Sequence, residues 1–83
     1  MNIVIHPHAR ERMRERGILE DEVIATVEQG EQFPVKYKRS GFRRNFEYNS
    51  EWRGKHYRTK QVEVYASREA ATFVVITVMA KYF

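Results

Sequence analysis

Thr72-Phe73-Val74-Val75-Ile76-Thr77-Val78-Met79-Ala80-Lys81-Tyr82 is apolar at almost every position up to Ala80 and lacks the in-out alternation of a strand with one wet face. Such a strand belongs inside a sheet. The segment before it, from Lys55 to about Ala66, does alternate: Lys60, Val62, Val64 and Ala66 share one face, and Gln61 and Glu63 point the other way. A turn over Ser67 to Ala71 is predicted to join the two. Pairing Ala66 with Thr72 sets Lys60 opposite Val78, with Thr77 one position away. Further back, the period becomes two at Phe33, where Val35 and Tyr37 alternate with lysines. Ser40-Gly41 is the expected turn, Phe42, Phe46 and Tyr48 mark a second strand, and Asn49 to Gly54 form the next loop. Four successive strands with short turns predict an antiparallel meander.

Between Pro7 and Gly30 the chain reads as two helices. Pro7 suits the first helical position, where its missing N–H has no partner, and Gly17 suits the left-handed position just past the end. Met13 and Ile18 then fall where a Schellman ending brings an apolar pair together. Glu20, Asp21 and Glu22 open a second helix, complementing the positive end of its dipole, and Gly30 is a plausible stop. Leu19, Val23 and Val27, with Ile24 beside them, give this helix an apolar face. Leu19 also stands where a capping Ser, Thr or Asp would hold better, so the start of this helix is expected to fray. Ile3 and Ile5 alternate within Met1 to Ile5, either as a short edge strand or as an extended lead-in. The fold class expected is α+β, with two N-terminal helices packed on a curved four-stranded antiparallel sheet in a single domain over 1–83.

Eighty-three residues allow only about 60–65 % of the unfolded surface to be buried, hence one compact core. The chain has no cysteine, so disulfides and thiolate metal sites are excluded. Its most apolar run, Phe73 to Ala80, falls far short of the roughly 20 residues that span a bilayer, and the N-terminus has no signal-peptide pattern. A soluble cytoplasmic protein without membrane contact is expected. No Gly-rich phosphate loop occurs, and His6, His8 and His56 lack a second ligand pair at familiar spacing, so neither metal nor cofactor is expected.

The net charge of +4 conceals an uneven distribution. Lysines and arginines number 4 against 7 acids in residues 1–32, 9 against 2 in 33–60, and 2 against 2 in 61–83. The basic middle segment interleaves Arg43, Arg44, Arg53, Lys55 and Arg58 with Phe42, Phe46, Tyr48, Trp52 and Tyr57. Basic and aromatic side chains together engage phosphates and base faces. Alternatively, the aromatics line the core of a hairpin and the charges are simply solvated.

His8, Arg12, Met13, Arg16, Gly17 and Ile18 compose a His-x-x-x-Arg-Met-x-x-Arg-Gly-Ile pattern. With Trp52-Arg53-Gly54-Lys55, Lys60 to Val64 and Val74 to Val78, it closely resembles a family of small bacterial domains of unknown function. Those domains look like members of the wider barnase, EndoU, colicin and RelE group of metal-independent ribonucleases, many of them toxins. The resemblance implies a RelE-like fold, candidate active-site residues at His8, Lys60 and Thr77 with Tyr82 added, and an acidic antitoxin that covers the basic surface. Fold analogy does not itself give function.

Metal-free RNA cleavage needs a base to activate the 2′-hydroxyl, an acid for the leaving 5′-oxygen, and donors for the charge on phosphate. His8 titrates near neutrality and suits either proton-transfer role. Arg12 and Arg16 follow it at four-residue steps on one helix stripe. Lys60, on the apolar side of its strand, is either a lysine reaching past an apolar rim into water or a phosphate-binding ammonium. RNA contact is expected from Arg12, Arg16, Arg43, Arg44, Arg53, Lys55 and Arg58. Two competing expectations are a nucleic-acid-binding module without catalysis and a protein-docking domain.

Overall fold

A computed structural model describes residues 2–83. The chain runs β1 (Asn2–Ile5), α1 (Pro7–Arg16), α2 (Glu20–Gln29), β2 (Glu31–Pro34), β3 (Arg39–Trp52), β4 (Lys55–Glu69) and β5 (Thr72–Tyr82). Five strands form one sheet in the order β1-β5-β4-β3-β2. This corrects the expected four-stranded antiparallel sheet, because β1 pairs parallel to β5, with Ile3 beside Phe73 and Ile5 beside Val75. The physical reason lies in the strand quoted above. A meander would leave its last strand at an edge, and β1 covers the start of β5, so that Val74 and Val75 are enclosed between two neighbouring strands. Met1 lies outside the described residues.

Both helices cover one face. Ala9, Met13, Ile18, Val23 and Val27 meet Phe42, Val62, Val64, Ala66, Phe73, Val75 and Val78 in a single core. A fully buried valine contributes about 1.5–3 kcal/mol, so the four with no exposed surface in β4 and β5 anchor this layer.

The α1 reading agrees with the structure. Pro7 starts the helix, Gly17 ends it at φ 70°, and the Ile18 N–H reaches the Met13 carbonyl at 2.9 Å, closing the Schellman turn. In α2, Leu19 does not join the apolar face and is 64 % exposed, whereas Thr26 is buried and donates its hydroxyl to the Glu22 carbonyl at 2.6 Å. The expected weak start is held otherwise: the Glu22 carboxylate accepts the Leu19 N–H at 2.9 Å.

Three turns move. The first hairpin bends at residues 35–38, where Tyr37 and Lys38 have φ of 65° and 58°, so Val35 and Tyr37 lie beyond β2. Ser40 and Gly41 belong to β3. Gly41 pairs with Phe33, and a Cβ there would meet the Phe33 ring at 2.4 Å, so the glycine serves to seat an aromatic ring rather than to turn the chain. β3 and β4 continue to a two-residue turn at Arg53-Gly54, both left-handed, as right-twisted hairpins favour. β4 likewise runs on to Glu69. The register therefore sets Lys60 opposite Tyr82, and Ala66 opposite Val75, with an irregularity beside Ile76. The expected pairing of Lys60 with Val78 is displaced by four residues, since the hairpin closes later and β5 carries an extra residue.

Candidate nucleic-acid interface

An α-helix ends with carbonyls that have no partner within it. In α1 they are met by side chains from the β3–β4 turn, β4 and β5. Arg53 Nη2 donates to the Glu15 carbonyl at 2.8 Å, the Tyr82 hydroxyl to the Arg16 carbonyl at 2.7 Å, and Lys60 Nζ to the Gly17 carbonyl. Arg16 returns the connection, donating from Nη1 to the Val78 carbonyl at 2.6 Å, beyond the point where β1 leaves β5. Gly17 itself lies against Trp52, whose ring a Cβ would meet at 2.3 Å. Trp52 stacks on Tyr82 with ring centroids 4.9 Å apart and planes within 12°.

Lys60 and Tyr82 are thereby accounted for structurally. Lys60 is 2 % exposed and forms an ion pair with Glu22 at 2.6 Å, with the rings of Tyr48 and Tyr82 at 5.6 and 5.8 Å. It neither reaches into water nor presents a free ammonium to a ligand. Burial, then the neighbouring Tyr48 and Glu22, pushes the Tyr82 phenol up to about 12. At neutral pH this phenol is a donor, committed to Arg16.

His8 stands elsewhere. Its backbone N–H caps onto His6 Nδ1 at 3.1 Å, and the two imidazoles stack at 5.2 Å on the exposed first turn of α1. Nine residues separate it from Gly17, about 13 Å along the axis at 1.5 Å per residue. The expected meeting of His8 with Lys60 does not occur. Thr77 pairs with Tyr65 on the uncovered sheet face, opposite the side that carries Lys60, and lines a shallow cavity with Val35, Lys36, Arg39, Tyr65 and Met79. The Lys60–Thr77 partnership thus fails on register, which places the two on opposite faces.

The arginines and lysines separate into three situations. Arg12 pairs with Glu15 at 2.9 Å on the outside of α1. Arg43 lies over Phe33 between Glu63 at 2.9 Å and Glu31 at 3.3 Å, and its bond with Glu63 raises its pKa. Glu63 also accepts from Tyr65, whose pKa is raised by burial and by this carboxylate. Arg44 covers Phe46 and donates to Gln29. The contiguous basic segment is then divided by β3. Its 13 residue steps extend roughly 43 Å at about 3.3 Å each, comparable with the 41 Å longest dimension. Lys36, Lys38 and Arg39 stay at one end. Arg53, Lys55 and Arg58 collect at the other, where Arg16 joins them.

None of those four has a carboxylate within salt-bridge distance among the described residues. Arg53 lies over Trp52 at 5.1 Å and Lys55 over Tyr57 at 5.6 Å, while Tyr48 and Tyr57 both approach Tyr82. Arg58 lines a groove with Asn45, Phe46, Glu47, Asn49 and Thr59. What sequence reasoning missed is the helix-capping duty of Arg53, Tyr82 and Lys60. No local signal announces it, because donor and carbonyl lie 38 to 66 residues apart.

A protein-family model described as a domain of unknown function (DUF4258) matches residues 5–80. No curated protein and no solved structure matches the chain. No helix among the described residues is long and apolar enough to cross a membrane.

Proposed function

The chain belongs to DUF4258, a family of unknown function, and from its site we propose that it binds single-stranded RNA at the end of the sheet where α1, the β3–β4 hairpin and β5 converge. One observation supports this reading: Arg16, Arg53 and Lys55, free of carboxylate partners, lie against the partly exposed rings of Trp52, Tyr57 and Tyr82, and Arg58, equally unpaired, lines a groove on the same hairpin. Cations that track a backbone beside aromatic rings recognise single strands with little sequence preference.

Binding without catalysis is the form the geometry favours. Cleavage by 2′-hydroxyl attack requires an acid and a base over one phosphate. His8 and Lys60 do not share a groove, and Lys60 is engaged by Glu22 and Gly17. Membership of the barnase, EndoU, colicin and RelE ribonuclease group, a bacterial toxin role and a cytoplasmic site of action rest on resemblance. An acidic antitoxin would compete for the same unpaired cations.

The test is titration of a labelled pyrimidine RNA with the protein across a range of salt. Four phosphate contacts imply a log-log slope of about −3, from roughly −0.7 per contact. Lys55→Gln with Arg58→Gln should reduce the slope by about 1.4. Salt-independent binding, or none at low salt, overturns the reading. Intact RNA at the end of the titration supports binding alone; shortened RNA retained in the His8→Ala variant would assign cleavage to other groups.

A further inference from the structure

Arg16 and Arg53 line one small pocket together with Trp52, Ala80 and Tyr82. Its volume is about 160 Å³. At about 30 Å³ per water, that is the space of roughly five waters, enough for a phosphate group. Resting on the RNA reading above, we propose that this pocket seats a single phosphate, held between the two guanidinium groups.

The argument concerns what the arginines have left over. Each guanidinium carries five N–H donors. Arg16 gives one to Val78 and Arg53 gives one to Glu15, which fixes the position of both side chains and leaves the remaining donors without a protein acceptor. Arg53 is held further by its place over Trp52. Completing the end of α1 requires a donor, which a neutral side chain supplies as Tyr82 does for Arg16. It does not require a second full positive charge in the same pocket. Glu22 is committed to Lys60, and no carboxylate lies within salt-bridge distance of either guanidinium, so within the described residues the two cations have no counter-ion. Two fixed forks facing one small space match the bidentate geometry by which arginine holds phosphate oxygens.

The phosphate has two sources, a diester within the RNA chain or a monoester at its end, and the experiment separates them. Inorganic phosphate is titrated into ¹⁵N-labelled protein while the arginine Nε–H resonances are followed. The signals of Arg16 and Arg53 should shift and that of Arg58 should not, and Arg53→Gln should abolish the Arg16 shift. In RNA binding, Arg53→Gln should weaken affinity about tenfold, a loss of about 1.4 kcal/mol, and reduce the salt slope by about 0.7. An RNA with a 5′-phosphate that binds more tightly than its 5′-hydroxyl form, with the difference lost in Arg53→Gln, assigns the monoester; equal binding assigns the diester. If phosphate moves neither arginine signal, the pocket is overturned even where RNA still binds through Lys55 and Arg58. If both signals move but no RNA binds, the pocket stands and the RNA reading falls.

Discussion

Lys60 donates to the carbonyl of Gly17 from 43 residues away, so a lysine in the middle of a strand completes the end of the first helix. The same ammonium pairs with Glu22, which in turn holds the N–H of Leu19 at the start of α2. One buried cation therefore fixes the end of one helix and the beginning of the next. This bond explains a lysine on an apolar face without invoking catalysis, and several consequences can be measured.

Lys60→Met should destabilise the fold by about 3–5 kcal/mol, the usual cost of leaving one member of a buried pair alone. Adding Glu22→Leu to it should recover a substantial part, because the orphaned carboxylate is then gone. Denaturant unfolding of the two single variants and the double variant gives the coupling. An unchanged midpoint in Lys60→Met would mean that the lysine is not structural.

Gly17→Ala meets two obstacles. The left-handed backbone costs a non-glycine residue about 1–2 kcal/mol, and the new methyl group would collide with Trp52. Overpacking typically adds about 1–3 kcal/mol. The chain has one tryptophan, so its fluorescence should report both the lower midpoint and a displaced ring in the folded state.

Tyr82 makes stability sensitive to alkaline pH. Its phenol titrates near 12 in the folded chain against 10 when free, so between those values the unfolded state binds fewer protons and stability falls as pH rises. The contribution is complete below pH 10 and is lost through about 12. Unfolding midpoints followed over this range should decline less steeply in Tyr82→Phe, and the late-titrating part of the tyrosinate absorbance should shrink in the variant, with the raised Tyr65 remaining.

His8→Ala should leave the unfolding midpoint nearly unchanged, since the residue is exposed and its ring stacks on that of His6. Surface substitutions of this kind usually stay within about 0.5 kcal/mol. RNA affinity should also stay near that of the parent, in contrast to Arg53→Gln. A large loss of affinity in His8→Ala would place the interface at the other end of α1.

Gly41→Ala tests the aromatic seat in the first hairpin. The added methyl group falls on the Phe33 ring, with an expected cost of about 1–3 kcal/mol. Phe33→Ala in the same chain should remove the clash, leaving the double variant closer to Phe33→Ala alone than additivity allows. Thermal unfolding of the four proteins decides this.

Both helices and the end of α1 were legible in the sequence because their signals act within one turn: Pro7 at the first position, Gly17 in the left-handed conformation, acids in the first turn of α2. The interior position of β5 was legible too, since its side chains are apolar on either side. Turn positions were harder to read. Gly41 resembles a turn residue but lies in a strand because Phe33 needs the space, whereas Tyr37 and Lys38 take the left-handed backbone without a glycine to mark it. Leu19 matched an apolar spacing and yet lies outside, since the helix begins only after it.

The amino-acid order alone determined two helices ahead of a β-rich remainder, a buried last strand and an excess of positive charge in the middle third. Folding in three dimensions decided the rest: that β1 lies parallel to β5, that the basic segment is parted between two ends of β3, and that Arg53, Lys60 and Tyr82 converge on the carbonyls of α1. The reason is the range of the forces involved. A cap or a periodicity is set by residues three or four apart, whereas a strand's partner depends on register, which a later turn and one extra residue at Ile76 shift by four positions.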